Sequence, residues 1–143
     1  PATSFVASFV GTLNLLDCRV VEALSGRLSA AGQEIRTAGP IAGAAAGSIV
    51  SVALRPESIA LGDGPSGANR LRGTIQDVSF LGSIVRIRIR LGDGPSVSLD
   101  TFNDPNLTLP AIGEVVTVFV PPEACLVLEK PAAATVADAA SEA

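Results

Sequence analysis

The sequence predicts an all-β fold, and three observations carry that prediction. Apolar residues fill 48% of the 143 positions but aromatics only 3%, with no Trp or Tyr, so a core has to come from Val, Ile, Leu and Ala. Val and Ile are stiff at the first side-chain torsion and favour strands. The strand-like runs are short and recur between clusters of turn residues, the pattern of a sandwich or small barrel. One run, residues 83–91, alternates from Val85 onward: Val85, Ile87, Ile89 and Leu91 against Arg86, Arg88 and Arg90. Period two puts the two sets on opposite faces. A slip of one residue would bury three guanidiniums, so the register is well specified. Closing such strands into a barrel removes the exposed edges that invite aggregation.

Taken in order, the elements read as follows. Thr3 is placed to cap a short N-terminal helix over residues 4–10, with Phe5 and Phe9 on its apolar side and Gly11 as its stop. Residues 15–24 form a strand, Ser25-Gly26 a tight turn, and residues 27–30 its antiparallel return. A short strand is expected over 33–37. Residues 38–47 mix Gly, Ala and Pro without periodicity and are expected to be an exposed or mobile loop. Residues 48–54 form a strand that ends at Pro56, which has no N–H for a ladder. A brief strand lies within 58–61, and 62–69 is turn chemistry. Residues 71–80 and 83–91 form a hairpin in which Gly82 permits a kink or bulge and Phe80 fills the core. Strands are expected over 96–102 and 115–120, and residues 124–128 close the barrel. The hexapeptide LGDGPS occurs at Leu61 and again at Leu91, a reused turn. From Lys130 onward the chain has no core-forming pattern and is expected to be a disordered tail.

The chemistry is limited. With no His, Ser-His-Asp and Cys-His catalysis are excluded. No GxxxxGK[ST] loop is present, so the backbone cradle and lysine that hold nucleotide phosphates are missing, and no cofactor is expected. Cys18 and Cys125 lack metal-site spacing and read as two free buried thiols. Net charge is −4, against the basic footprint of a nucleic-acid binder, and single-strand readers of OB shape need stacking aromatics. No apolar run approaches the ~20 residues of a membrane-spanning helix, so direct membrane insertion is not expected. The chain contains no Met and is expected to be part of a longer protein.

Two segments are candidate interaction sites. Arg55, Pro56 and Glu57 read either as a rigid docking element or as a strand terminator carrying a surface ion pair. Arg86, Arg88 and Arg90, about 6.8 Å apart along one face, read either as an anion-binding or partner-docking stripe or as a solvated face balanced by Asp77 and Asp100.

Three stretches together resemble a known family: VALRPESIAL at 52–61, LRGTIQDVSFLGSIVRIRIRL at 71–91, and a Gly-Glu-Val-Val-Thr-Val strand at 113–118 leading to Pro-Pro-Glu. The opening PATSFVASFVGTLNLL adds Pro1, Thr3, Phe5-Val6-Ala7, Phe9-Val10-Gly11 and Asn14. This pattern resembles the TOBE domain, the OB-like small β-barrel that follows the ATPase domain in ATP-binding subunits of ABC importers of the polyamine, ferric-iron and sugar type. It covers residues 1–129, with a weak stretch over 26–48. The resemblance implies that residues 1–11 end the ATPase domain and 12–129 form the barrel. It implies a regulatory and dimerisation role without catalysis, ATP and Mg being held by an ATPase domain outside this chain. The implied partners are a second copy, the ATPase domain and the membrane permease subunits, at the cytoplasmic face of the cell membrane. The alternative is a barrel binding a small ligand, an oxyanion or the transported solute. A related family of small barrels binds molybdate or sulfate, and Ser79, Ser83 and Thr74 are the hydroxyls that could serve such a site here.

Overall fold

Ten antiparallel strands in two five-stranded sheets share one apolar core in the computed structural model, which describes residues 13–128. The expected helix over 4–10 and the tail from 130 lie outside the described residues. The first sheet holds β1 (Asn14–Glu22), β2 (Arg27–Ala30), β3 (Gln33–Arg36), β4 (Ile49–Leu54) and β10 (Leu126–Val127), in the order β10-β4-β1-β2-β3. The second holds β5 (Ala60–Leu61), β6 (Asn69–Leu81), β7 (Ile84–Arg90), β8 (Ser96–Phe102) and β9 (Val115–Val120), in the order β5-β9-β6-β7-β8.

The alternation in β7 builds as the sequence demands. Val85, Ile87, Ile89 and Leu91 are completely buried, while the three arginines face outward. Each fully buried aliphatic of this kind contributes about 1.5–3 kcal/mol before the cost of ordering it. In β6 the same period changes phase. Leu71 and Ile75 point into the core, but the register shifts between Ile75 and Asp77, so Gln76 is an extra residue. Beyond this bulge the inward positions are Val78 and Phe80, opposite Ile87 and Val85. Phe80 is therefore on the core side, as expected, but at the very end of the hairpin. Its ring is 62% exposed and does not fill the core, which corrects the sequence reading.

Gly73 marks where β6 changes partners, from β9 over Asn69–Thr74 to β7 from Thr74 onward. A Cβ at Gly73 would collide with the side chain of Ile89 and lie 2.6 Å from the carbonyl oxygen of Arg90. No side chain fits at that crossing. Gly82 sits in the two-residue turn between the paired Leu81 and Ile84, with φ 75°, a left-handed backbone that a Cβ resists. It serves the turn; the bulge is six residues earlier.

The weak stretch over 26–48 contains regular structure. Leu28 and Ile35 are fully buried in β2 and β3. The loop 38–47 is only partly the exposed segment that its composition suggests. Ile41 is buried in the core, and its N–H donates to Ala23 O at 2.8 Å. One apolar side chain in a run of small residues anchors the loop.

Three carboxamides join the sheets where backbone pairing stops. Asn69 donates to Arg36 O at 2.9 Å and accepts from Arg36 N at 2.8 Å, bridging β6 to β3. Gln33 answers from β3, donating to Arg72 O at 2.9 Å and accepting from Arg72 N at 2.8 Å. Asn14, at the start of β1, treats Ser98 of β8 in the same way, at 2.9 and 2.8 Å. Each amide carries one donor and one acceptor in the geometry of a neighbouring strand, so it satisfies both main-chain groups of a single residue.

Candidate interaction surfaces

The Arg55-Pro56-Glu57 segment is built by its proline. Pro56 opens a short 3-10 turn, Pro56–Ser58, closed by Ser58 N donating to Arg55 O at 2.9 Å. The turn packs against β8, and Pro56 is buried there. Arg55 and Glu57 are exposed and form no ion pair with each other. Pro56 is thus buried in the turn, and two oppositely charged side chains flank it in solvent.

The arginine face is less uniform than its spacing suggests. Arg86 makes a two-pronged contact with Asp100 of β8: Nε to Oδ1 and Nη2 to Oδ2, both at 2.8 Å. This hydrogen bonding, helped by the carboxylate charge, raises the Arg86 pKa further above its ordinary value. Arg88 lies opposite Asp77 in register without a hydrogen bond to it, and Ser79 donates to that carboxylate at 2.9 Å. Arg90 turns back toward Gly92 O at 3.4 Å. Of the three arginines, Arg86 is neutralised in place and Arg88 and Arg90 remain in solvent.

The hydroxyls considered for an oxyanion do not converge. Thr74 pairs with Arg90 at one end of the hairpin and Ser83 lies in the turn at the other, roughly 25–30 Å of strand away. Ser79, between them, is committed to Asp77.

Two features were not among the sequence candidates. The first is a groove of about 550 Å³ between the loop 37–44 and residues 122–128, walled by Pro40, Ile41, Val50, Cys125 and Leu126. Among the described residues, Glu123 is the one charged side chain in its lining. Burial pushes the Cys125 thiol up to about 11, although the amide of Asn69, donating to its sulfur at 3.4 Å, pulls the other way. Cys18, deeper in the core, is pushed up to about 12, first by burial and then by the Cys125 and Asp17 charges. Both thiols are free.

The second feature is the outer end of the β6-β7-β8 sheet. Leu81, Ile84 and Phe102 stand in one register row on the face that carries the arginines. Leu81 is 50% and Phe102 76% exposed. The period of β8 was a usable signal here: Val97 and Leu99 point inward, so Phe102 points outward.

Comparison with known proteins agrees with this architecture. The family model of the TOBE domain matches residues 52–128, and the chain belongs to that family. Among curated proteins it is similar to the spermidine/putrescine import ATP-binding protein PotA of Rubrobacter xylanophilus, 32% identical over 137 residues, covering 90% of this chain and 34% of that protein. PotA of Ruegeria pomeroyi is 35% identical over 129 residues, covering 90% and 35%. The uncharacterized ABC transporter ATP-binding protein YdcT of Escherichia coli is 32% identical over 111 residues, covering 78% and 26%. The chain spans about a third of the length of the PotA relatives it matches. Among solved structures, the cytoplasmic molybdate-binding protein ModG with molybdate bound superposes with a TM-score of 0.63 at 14% identity, covering 80% of this chain and 94% of that one. At that identity the likeness concerns the fold.

Proposed function

We propose that this chain is the carboxy-terminal regulatory and dimerisation module of the ATP-binding subunit of an ABC importer, of the class that takes up polyamines. The observation that carries this reading is the match of spermidine/putrescine import ATP-binding proteins along 90% of the chain, joined to the TOBE match. The parent subunit hydrolyses ATP through its own nucleotide-binding domain at the cytoplasmic face and engages membrane permease subunits. This module contributes no phosphate-binding loop. It acts by holding two subunits together, which keeps the two ATPase halves at high effective concentration through their opening and closing. Of the candidate residues, Arg55, Glu57, Arg88 and Arg90 are the charged groups in solvent that could meet a neighbouring domain. The test compares the parent subunit with this chain alone for phosphate release from ATP. The parent should turn over and the isolated chain should not; release by the chain alone contradicts the reading.

A second reading, binding of a small ligand, is favoured by the groove. Among the described residues its lining has one carboxylate, Glu123, and no cation, which suits a cationic amine such as the transported solute and opposes an oxyanion. Calorimetric titration with spermidine should give heat that Glu123→Gln removes, and titration with molybdate should give none; the reverse pattern overturns this reading.

A further inference from the structure

The hexapeptide Leu-Gly-Asp-Gly-Pro-Ser stands twice in the chain, at 61–66 and at 91–96, and the two copies are folded differently. We propose that Asp63, in the first copy, is a site of spontaneous isomerisation to isoaspartate through a succinimide with the Gly64 nitrogen, and that the fold protects Asp93 in the second.

The local chemistry is the same at both positions. Each Asp precedes a Gly, whose missing side chain leaves its amide nitrogen open to the carboxyl of the residue before it. The nitrogen attacks the Asp Cγ and a C–N bond forms. Water leaves, its oxygen taken from the carboxyl and its hydrogens from the carboxyl and the amide. Water then adds back to one of the two ring carbonyls. Addition at Cγ restores aspartate. Addition at the main-chain carbonyl leaves the backbone running through the side chain, one carbon longer. No atom is gained or lost over the two steps, and water is the only co-reactant. The neighbours of the two aspartates are identical from the Leu before to the Ser after, so the hexapeptide by itself makes their rates equal.

The structure separates them. In the second copy Gly94 N donates to Leu91 O at 2.9 Å, and Leu91 N donates to Pro95 O at 2.8 Å. The attacking nitrogen is therefore tied into a closed turn, anchored at its start by the completely buried Leu91. Attack on Asp93 has to break that hydrogen bond and open the turn first. In the first copy the main chain is fastened on either side of the reacting pair. Gly62 N donates to Thr117 O at 2.8 Å, and Ala68 N donates to Pro65 O at 3.2 Å. Between them the Gly64 N–H has no hydrogen-bond partner among the described residues. Gly64 also takes a left-handed backbone, φ 68°, which Gly94 does not. The same six residues thus do not make the same turn twice. Both aspartates are exposed, so access of water does not distinguish them; the state of the nitrogen does.

The product would be felt nearby. Gly64 lies against the ring of Phe119, and its carbonyl accepts from Arg70 Nη2 at 3.5 Å. An extra main-chain carbon immediately before Gly64 moves both contacts.

The test is incubation of the 143-residue chain for weeks at neutral pH, folded and in denaturant, followed by tryptic digestion and electron-transfer fragmentation. Trypsin releases the two aspartates in separate peptides, so isoaspartate is read at each position independently. In the folded chain it should accumulate about tenfold faster at Asp63 than at Asp93, the factor that one hydrogen bond on the attacking nitrogen supplies. In denaturant the two rates should agree within about twofold, because the turn that distinguishes them is gone. Equal rates in the folded chain, a faster rate at Asp93, or no isoaspartate at Asp63 would overturn the proposal. So would a difference that persists in denaturant, since residues outside the hexapeptide would then set it.

Discussion

Strand β8 has two ends that are treated in opposite ways. At Ser98 its free edge is occupied: Asn14 takes up both main-chain groups, and the Pro56–Ser58 turn packs against the same strand. At Phe102 the strand ends with a ring 76% exposed and an apolar row beside it. The difference teaches where this small domain satisfies itself and where it does not. Its polar seams are closed internally, by side chains that imitate a missing strand. Its apolar surplus is left at the hairpin end farther from those seams.

The comparison is broken most severely at the point where β6 changes partners. Gly73→Val should cost about 3 kcal/mol or more, because the new side chain meets Ile89 and the Arg90 carbonyl with no room to yield. Urea denaturation should show it as a lowered midpoint, or as failure to fold. A midpoint within ~0.5 kcal/mol of wild type would mean that the crossing is looser than described.

The seams come next. Asn69 is 6% exposed, and Asn69→Ala would strand the Arg36 N–H and C=O, costing about 2 kcal/mol. Asn14→Ala, at a partly buried site, should cost about 1 kcal/mol. An Asn69 effect no larger than the Asn14 effect would contradict the burial argument. The pair also separates a stability role from a surface role, since neither change should alter self-association measured on folded protein.

These seams were the least legible part of the molecule. Asn14, Gln33 and Asn69 reach residues 84, 39 and 33 positions away, and nothing local in the sequence identifies a carboxamide as a strand mimic. The hairpin shows what was legible. The β7 alternation gave its register and buried face directly, and β8 spans residues 96–102 as its pattern indicated. Period two failed in β6, because the extra Gln76 inverts the phase and no Gly or Pro announces that bulge. Phe80 illustrates a further limit: the side of the sheet could be inferred, but not that the core stops short of it. Of the candidate sites, Pro56 lies buried in a turn against β8, and of the two carboxylates the sequence offered to balance the arginine stripe, Asp100 pairs with Arg86 while Arg88 and Arg90 stay in solvent.

The thiols sharpen the comparison through pH. Both are raised by burial, from about 9 to about 12 for Cys18 and to about 11 for Cys125. A thiol whose folded value lies above its unfolded value stabilises the fold fully below the unfolded value and loses that contribution as pH rises through the folded one. Stability should therefore fall between about pH 9 and pH 12, and both thiols should resist a disulfide reagent at pH 8 until denaturant is added. Rapid labelling of native protein would contradict the burial of this core.

The smallest expected effect belongs to the Arg86–Asp100 pair. A double-mutant cycle with Arg86→Ala and Asp100→Ala should give a coupling of about 0.5–1 kcal/mol in the monomer, the range of a well-formed pair near the surface. A coupling near zero would show that the contact orders the face without stabilising the fold.

Hydrogen exchange at two protein concentrations tests the contrast between closed seams and open end most directly. The amides of Arg36, Arg72 and Ser98, each held by a carboxamide, should exchange slowly and equally at both concentrations. The amides around Leu81–Ile84 and Phe102, where the core stops short of the hairpin end, should exchange faster at both. Exchange at the hairpin end as slow as at the seams, or concentration-dependent exchange at the seams, would contradict the account.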